Sequence, residues 1–428
     1  MKVKTIGFLT IMAGCVVALA QTNSISSTNE PANDWKPATS NQPSKQYPQV
    51  NSEGRVRARV VASQAQSVLL DIGGARYPLA KGEDGAWVGY SRPQDEGFHY
   101  YQLNIDGAAV PDPGSLYFYG ASRWGSGVEI PAKDEDFYAL KNVSHGQLRE
   151  VHYFSKSSNS TRRCFVYTPP DYDKDPSKRF PVLYLQHGAG EDETGWGNQG
   201  HANLIMDNLL ADFKAKPFII VMENGGGIGG ARRGGASTAN LPPAGATTTN
   251  NASAAAAGAT NGAPAGGPGG PGGRTFNFSA FEHVLTDDLI PFIDANYRTI
   301  PDQPHRAMAG LSMGGMQTHT ITLAHLDVFS HIGMFSGGSI TTNEITDMDA
   351  FKQKVKLVFV SYGSREIDPA NRRGGGGRGG FSGDPKANTE GLKEAGINSR
   401  FYVSPLTAHE WQSWRRSLYQ FAPLLFQD

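Results

Sequence analysis

The sequence predicts two folded parts: a small all-β sandwich, then a larger α/β domain with a mainly parallel sheet. Three observations carry this. From Arg55 to Ile105 apolar and polar residues alternate in short runs separated by glycine turns, the period of half-buried strands. Beyond Tyr153, short continuous apolar runs take turns with amphipathic stretches, as buried parallel strands and their crossover helices do. Finally, a Gly-x-Ser-x-Gly motif at 310–314 sits between one such strand and one such helix.

Taken in order, the chain opens with Lys2 and Lys4 ahead of an apolar run, Ile6 to Ala20, closing on Ala18-Leu19-Ala20. This reads as a secretory signal peptide over 1–20. The run is shorter than the ~20 residues a membrane span needs, so the expectation is cleavage near Ala20, with no membrane attachment afterwards and export to the periplasm or the medium. A lipoprotein reading through Cys15 is set aside: Met12 fits that signal poorly, and the apolar run continues through Val16 and Val17. Of the two cysteines, the mature chain then keeps Cys164. It cannot pair within the molecule, and its alternating segment makes it a buried small hydrophobe. The balance of 39 Lys+Arg against 40 Asp+Glu offers no electrostatic reason for a nucleic-acid partner.

Residues 21–48 are rich in Ser, Thr, Asn, Pro and Gln and read as a disordered linker. The sandwich follows over 49–140, with Val56, Ala58, Val60, Val68 and Leu70 on alternate positions. The order of its features resembles the immunoglobulin-like module, related to the family 48 carbohydrate-binding domains, that precedes the catalytic domain of several bacterial esterases. Trp87, Tyr90, Tyr117, Tyr119 and Trp124 are either sugar-stacking candidates or sandwich core.

The α/β part covers 145–428. Strands are expected at Thr161–Tyr167, Pro181–Gln186, Phe218–Met222, Arg306–Ala309, His331–Phe335, Leu357–Tyr362 and Arg400–Val403. Helices are expected from a Ser279/Glu282 capping box onward, over Met316–Leu326, and over Thr389–Ala395. Much of the chain's 52 glycines fall in two insertions: 225–274, with 16 Gly and 13 Ala and no aromatic or acid, and the Gly/Arg-rich 372–383. Neither can bury enough apolar surface to offset ordering entropy. RNA binding by the second conflicts with export.

Gly310-Leu311-Ser312-Met313-Gly314 fits the nucleophile elbow of the α/β-hydrolase fold, where a tight strand-to-helix turn demands small residues on either side of the serine. The base follows the nucleophile in chain order. His319, His325 and His331 lie too near Ser312 in sequence to reach back over the strand ends, which leaves His409. The acid belongs after the strand Leu357–Tyr362, where Glu366 and Asp368 are both available to orient the imidazole. Oxyanion donors are the backbone N–H of Met313 and one from the loop His187-Gly188-Ala189-Gly190.

Several motifs then occur in one order: Phe180 to Gly190, Glu193-Thr194-Gly195-Trp196, Ile300-Pro301-Asp302, Ala309 to Gly315, Phe335-Ser336-Gly337-Gly338 and Ala408-His409-Glu410-Trp411. Together they resemble the esterase D-like group over about 150–428. That group includes the family 1 carbohydrate esterases: feruloyl esterases, acetylxylan esterases and enterochelin-esterase-like proteins. The resemblance implies Ser312 as nucleophile, His409 as base, and Met313 and Ala189 as oxyanion donors. The family's acid, usually Asp, stands three residues after the glycine, where this chain has Glu366; Asp368 is the runner-up. The implied function is a secreted serine esterase acting on feruloyl or acetyl esters of plant xylan through an acyl-enzyme, with no metal or organic cofactor. Trp196, Trp411 and Trp414 are candidates for substrate contact. A siderophore esterase, a mycolyl-type acyltransferase and a binding protein with a decayed centre are the competing readings.

Overall fold

The computed structural model describes residues 31–226, 277–368 and 383–427. The expected signal peptide, Cys15 and nearly all of both insertions lie outside these residues.

The N-terminal part is a two-sheet sandwich. One sheet runs in the order β1 (Lys36–Pro37), β2 (Gln49–Val50), β3 (Val56–Val61), β7 (Ala86–Tyr90), β6 (Ala80–Lys81). The other runs β10 (Tyr117–Gly120), β11 (Arg123–Ile130), β8 (Gly97–Ile105), β4 (Val68–Ile72), β5 (Ala75–Pro78), with β9 (Ala108–Val110) also on β8. Val56, Ala58 and Val60 of one sheet meet Leu70, Ile72, Tyr101 and Leu103 of the other in a single apolar cluster, so the period of two in the sequence becomes an inward face. Trp87 is core, 8 % exposed, with its indole N–H on Ala62 O. Tyr117 and Trp124 stay about half exposed, at 49 % and 54 %.

The expected linker is overturned from residue 31 onward. Lys36–Pro37 pairs with Gln49–Val50, Ala38 enters the sandwich core, and the Arg57 guanidinium covers the Trp35 ring at 4.5 Å. The segment has few apolar residues and orders by backbone satisfaction instead: the Asn41 amide donates to Lys45 O and Pro48 O.

The second part is an eight-stranded sheet ordered β12 (Gln147–Ser155), β13 (Ser160–Thr168), β15 (Ile219–Glu223), β14 (Val182–Gln186), β16 (Arg306–Leu311), β17 (His331–Phe335), β18 (Leu357–Gly363), β19 (Ser399–Ser404). From β15 to β19 it is parallel, whereas β12 and β13 are antiparallel additions at one edge. Every residue of β14, β15, β16 and β17 is buried, which accounts for their continuous apolar runs. Cys164 is buried in β13 and unpaired.

The helical stretch 279–296 differs from its expected start. Asn277 Oδ1, rather than a Ser279 side chain, accepts the first amide, and Glu282 turns to His325 Nε2 at 2.8 Å instead of back to the helix end. Residues Val284–Leu289 form a π-helical segment within it.

The two parts share a boundary built on the C-terminal helix Trp411–Phe421. Arg415, fully buried, makes a two-pronged ion pair with Glu129 of β11 at 2.6 and 3.0 Å. Arg416 reaches Asp134 in the same fork geometry. Phe98 of β8 packs in one cluster with Trp196, Trp411 and Trp414. The sandwich is therefore seated on the α/β part through buried charge and aromatic packing.

Candidate active site

At the centre of the parallel sheet β16 ends on Leu311, and the helix Met313–Ala324 begins at the next turn. Ser312 between them holds φ 50°, ψ −114°, a backbone state rare for a residue with a side chain. The flanking glycines follow from sterics. A Cβ on Gly310 would lie 2.4 Å from the Gly314 carbonyl carbon, and one on Gly314 would lie 2.6 Å from His187 O. Only hydrogens fit at both positions, so the strand, the helix and the neighbouring loop can converge beneath the serine.

The remaining members come from two loops at the same end of the sheet. His409 follows β19 and Glu366 follows β18. His409 Nε2 is 2.9 Å from Ser312 Oγ, and its Nδ1 is 2.8 Å from Glu366 Oε2. An ionised carboxylate only accepts, so it selects the tautomer with hydrogen on Nδ1 and leaves Nε2 as an acceptor facing the serine. Glu366 is itself fixed: its Oε1 accepts from Gly363 N at 2.8 Å and from Ser336 Oγ at 2.7 Å. Trp414 Nε1 donates to the same Ser336 Oγ at 3.1 Å, and its ring meets His409 edge-on at 5.1 Å. The two loops are stitched together by Arg365 N on Thr407 O and Leu406 N on Ser364 Oγ, both 2.9 Å. Asp368 stands exposed just past the short helix Ser364–Ile367; the carboxylate at His409 belongs to Glu366.

The loop after β14 passes beside the serine. A Cβ on Gly188 would be 3.4 Å from Ser312 Cβ. His187 is buried and burial holds its pKa down. Its Nδ1 lies 2.8 Å from Gly188 O and its Nε2 3.3 Å from Asn224 Oδ1, and the neutral ring has one N–H to give to one of these two acceptors. Ala189 follows, exposed. Met313 opens its helix, where the first amides lack intrahelical partners. A negatively charged oxygen bound near Ser312 would thus meet N–H groups from the loop and from the helix start.

Trp196 and Trp411 do not sit where substrate contact requires. They are 1 % and 2 % exposed. Their rings pack edge to face at 5.5 Å, and Trp411 continues onto Trp414 at 5.3 Å. Their indole N–H groups point inward, to Gln186 O and to Tyr100 Oη. Large apolar rings with a satisfied N–H are better placed in a core than in water, and here they form the floor under the loops. Two participants were given no role by the sequence. Ser336, with φ 50°, carries only the signal of a Ser-Gly-Gly after a buried strand. Tyr100 of the sandwich, which reaches the loop after β14, carries none.

The family described as "Putative esterase" matches residues 155–424. A protein of Xylanibacter ruminicola named "Endo-1,4-beta-xylanase/feruloyl esterase" is 42% identical over 406 residues, covering 93% of this chain and 48% of that protein. "Endo-1,4-beta-xylanase Y" of Acetivibrio thermocellus is 23% identical over 63% of this chain and 22% of its own length. This chain thus spans about half or less of those relatives. The enterochelin esterase of Shigella flexneri superimposes with a TM-score of 0.53 at 14% identity, over 92% of this chain and 95% of its own; that likeness is one of fold.

Proposed function

Because this chain belongs to the "Putative esterase" family, we propose that it hydrolyses carboxylic esters with Ser312 as nucleophile, His409 as base and Glu366 as the orienting acid. The observation that carries the reading is the unbroken hydrogen-bond chain from Glu366 through His409 to Ser312, 2.8 and 2.9 Å long. Ser312 Oγ attacks the ester carbonyl carbon while its proton passes to His409 Nε2. The carbonyl oxygen, now negative, is met by the N–H groups of Met313 and Ala189. The imidazolium returns its proton to the departing alcohol oxygen and leaves an acyl-serine. Water attacks that acyl carbon, giving its proton to His409 Nε2, and the free acid leaves as Ser312 recovers its hydrogen.

The substrate we assign is a feruloyl or acetyl ester carried on plant cell-wall xylan. Its support is the name of the 42% identical relative and the motifs shared with carbohydrate esterases. The xylanase half of that name stays with the relative, since this chain covers under half of it. Export after cleavage near Ala20 fits a polymeric substrate that cannot enter the cell. The exposed Tyr117 and Trp124 fit a sugar-contacting role for the sandwich. The test compares methyl ferulate, p-nitrophenyl acetate and a tri-catecholate lactone, with wild type and Ser312→Ala. Cleavage of methyl ferulate, lost in the alanine variant, supports the assignment. Cleavage of acetate alone reassigns the enzyme as a deacetylase, and turnover of the lactone alone reassigns it as a siderophore esterase.

A further inference from the structure

The loop that would supply the second oxyanion donor is gripped on both sides of Ala189, and part of the grip comes from the sandwich. On one side, Gly188 N donates to Glu191 Oε2 at 3.4 Å. On the other, Gly190 O accepts from Ser122 N at 2.7 Å. Ser122 and its neighbour Ala121 join β10 to β11 with φ 62° and 51°. Two successive left-handed residues make the tight hairpin turn that thrusts this N–H outward. The fit is close: a Cβ on Gly190 would lie 3.3 Å from Ser122 N.

Glu191 is held from the sandwich as well. Tyr100 Oη of β8 lies 3.2 Å from Glu191 Oε1. The same oxygen accepts from Gln199 Nε2 at 2.6 Å and from Trp411 Nε1 at 3.3 Å. With two donors aimed at it, the hydroxyl keeps one hydrogen to give. Tyr119 O, the other acceptor in reach, stands farther off at 3.4 Å and also takes Gln199 Nε2 at 2.8 Å, so the hydrogen goes to the nearer Glu191 oxygen. Burial pushes the Glu191 carboxyl up to about 7, as expected of a group placed there for its contacts at a cost in solvation.

We propose that Tyr100 and Ser122 are positioning residues for the ester-cleaving centre: acting through Glu191 and Gly190, they hold the Ala189 N–H toward the oxygen that becomes negative. This rests on the serine-esterase reading above. Under it the sandwich is part of the catalytic unit, since an oxyanion donor acts only when it is aligned beforehand.

The experiment uses the full chain with Tyr100→Phe, which removes one hydroxyl and keeps the ring packed on Phe98. Removing a whole oxyanion donor costs about 10²–10³-fold in kcat, and a loosened one is expected to cost about 10-fold. On p-nitrophenyl acetate kcat should fall by that factor while KM stays within about twofold. Affinity for a trifluoromethyl ketone, whose serine adduct places a negative oxygen in the same spot, should fall in step with kcat/KM. Glu191→Ala breaks the same link from the other side, so the double variant should lose no more than the larger single one. If the thermal midpoint drops but kcat and ketone affinity hold, or if the two losses multiply, the proposal is overturned while the esterase reading stands. Fluorophosphonate labelling separates the two readings: wild type that fails to label at Ser312 brings down both.

Discussion

Replacing Glu366 by Gln tests the acid with almost no change in shape. Glu366 Oε1 receives two donors, Gly363 N–H and Ser336 O–H, at 2.8 and 2.7 Å. The glycine amide can only donate, so an acceptor is required at the Oε1 place. The amide oxygen of glutamine must therefore take the Oε1 place, which turns its NH2 toward His409 Nδ1, 2.8 Å away in the parent. Nδ1 then has to accept, and the ring hydrogen moves to Nε2. There it points at Ser312 Oγ and cannot receive the serine's proton. Trapping the wrong tautomer in a Ser-His-acid centre costs about 10⁴-fold in kcat, about 5.5 kcal/mol of transition-state stabilisation. Initial rates on p-nitrophenyl acetate, normalised to folded protein by circular dichroism, measure the loss. A Glu366→Gln variant within tenfold of wild type, beside an Asp368→Asn variant that collapses, would refute the assignment and move the acid to Asp368.

Three further outcomes follow from the same geometry. Arg415→Ala leaves Glu129 buried without its cation, and breaking a buried pair costs about 3–5 kcal/mol; chemical denaturation should show that loss, and Arg415→Met should recover part of it. Gly314→Ala forces a methyl against His187 O and Gln186 O, parting the elbow from the loop beside it; a misplacement of about 1 Å costs about 10²-fold, read as kcat on the same ester in protein that remains folded. His331 is held down to about 3, mainly by burial and also by nearby Lys356. Its native ring refuses a proton that the unfolded chain takes up near 6.5, so its share of stability is complete above about pH 6.5 and is lost as pH falls toward 3. Thermal midpoints across that window should fall less steeply in His331→Gln than in wild type; equal slopes would count against it.

The sequence alone was enough for the fold class and for the sharp strand-to-helix turn that carries Ser312, and both have local causes. A parallel strand buried on both faces has to be apolar throughout, so β14, β15 and β17 announced themselves as continuous runs. The elbow likewise writes its steric demand into five consecutive residues. Chain order then narrowed the base to His409. Choosing between Glu366 and Asp368 was beyond that reach, because the choice depends on Gly363 and Ser336 converging on one carboxylate oxygen while Trp414 holds Ser336, three residues from separate elements. The linker reading failed for a related reason: composition records how little apolar surface 31–48 has, while its order comes from hydrogen bonds and a guanidinium–ring contact with partners the sequence does not identify. The tryptophans misled because proximity to a motif in sequence carries no information about depth, and depth put Trp196 and Trp411 beneath the loops. Tertiary structure alone decided that the sandwich meets the α/β part beside Ser312. That arrangement rests on a buried Arg415–Glu129 pair, a tyrosine hydroxyl and a hairpin turn, contacts between residues up to 311 positions apart.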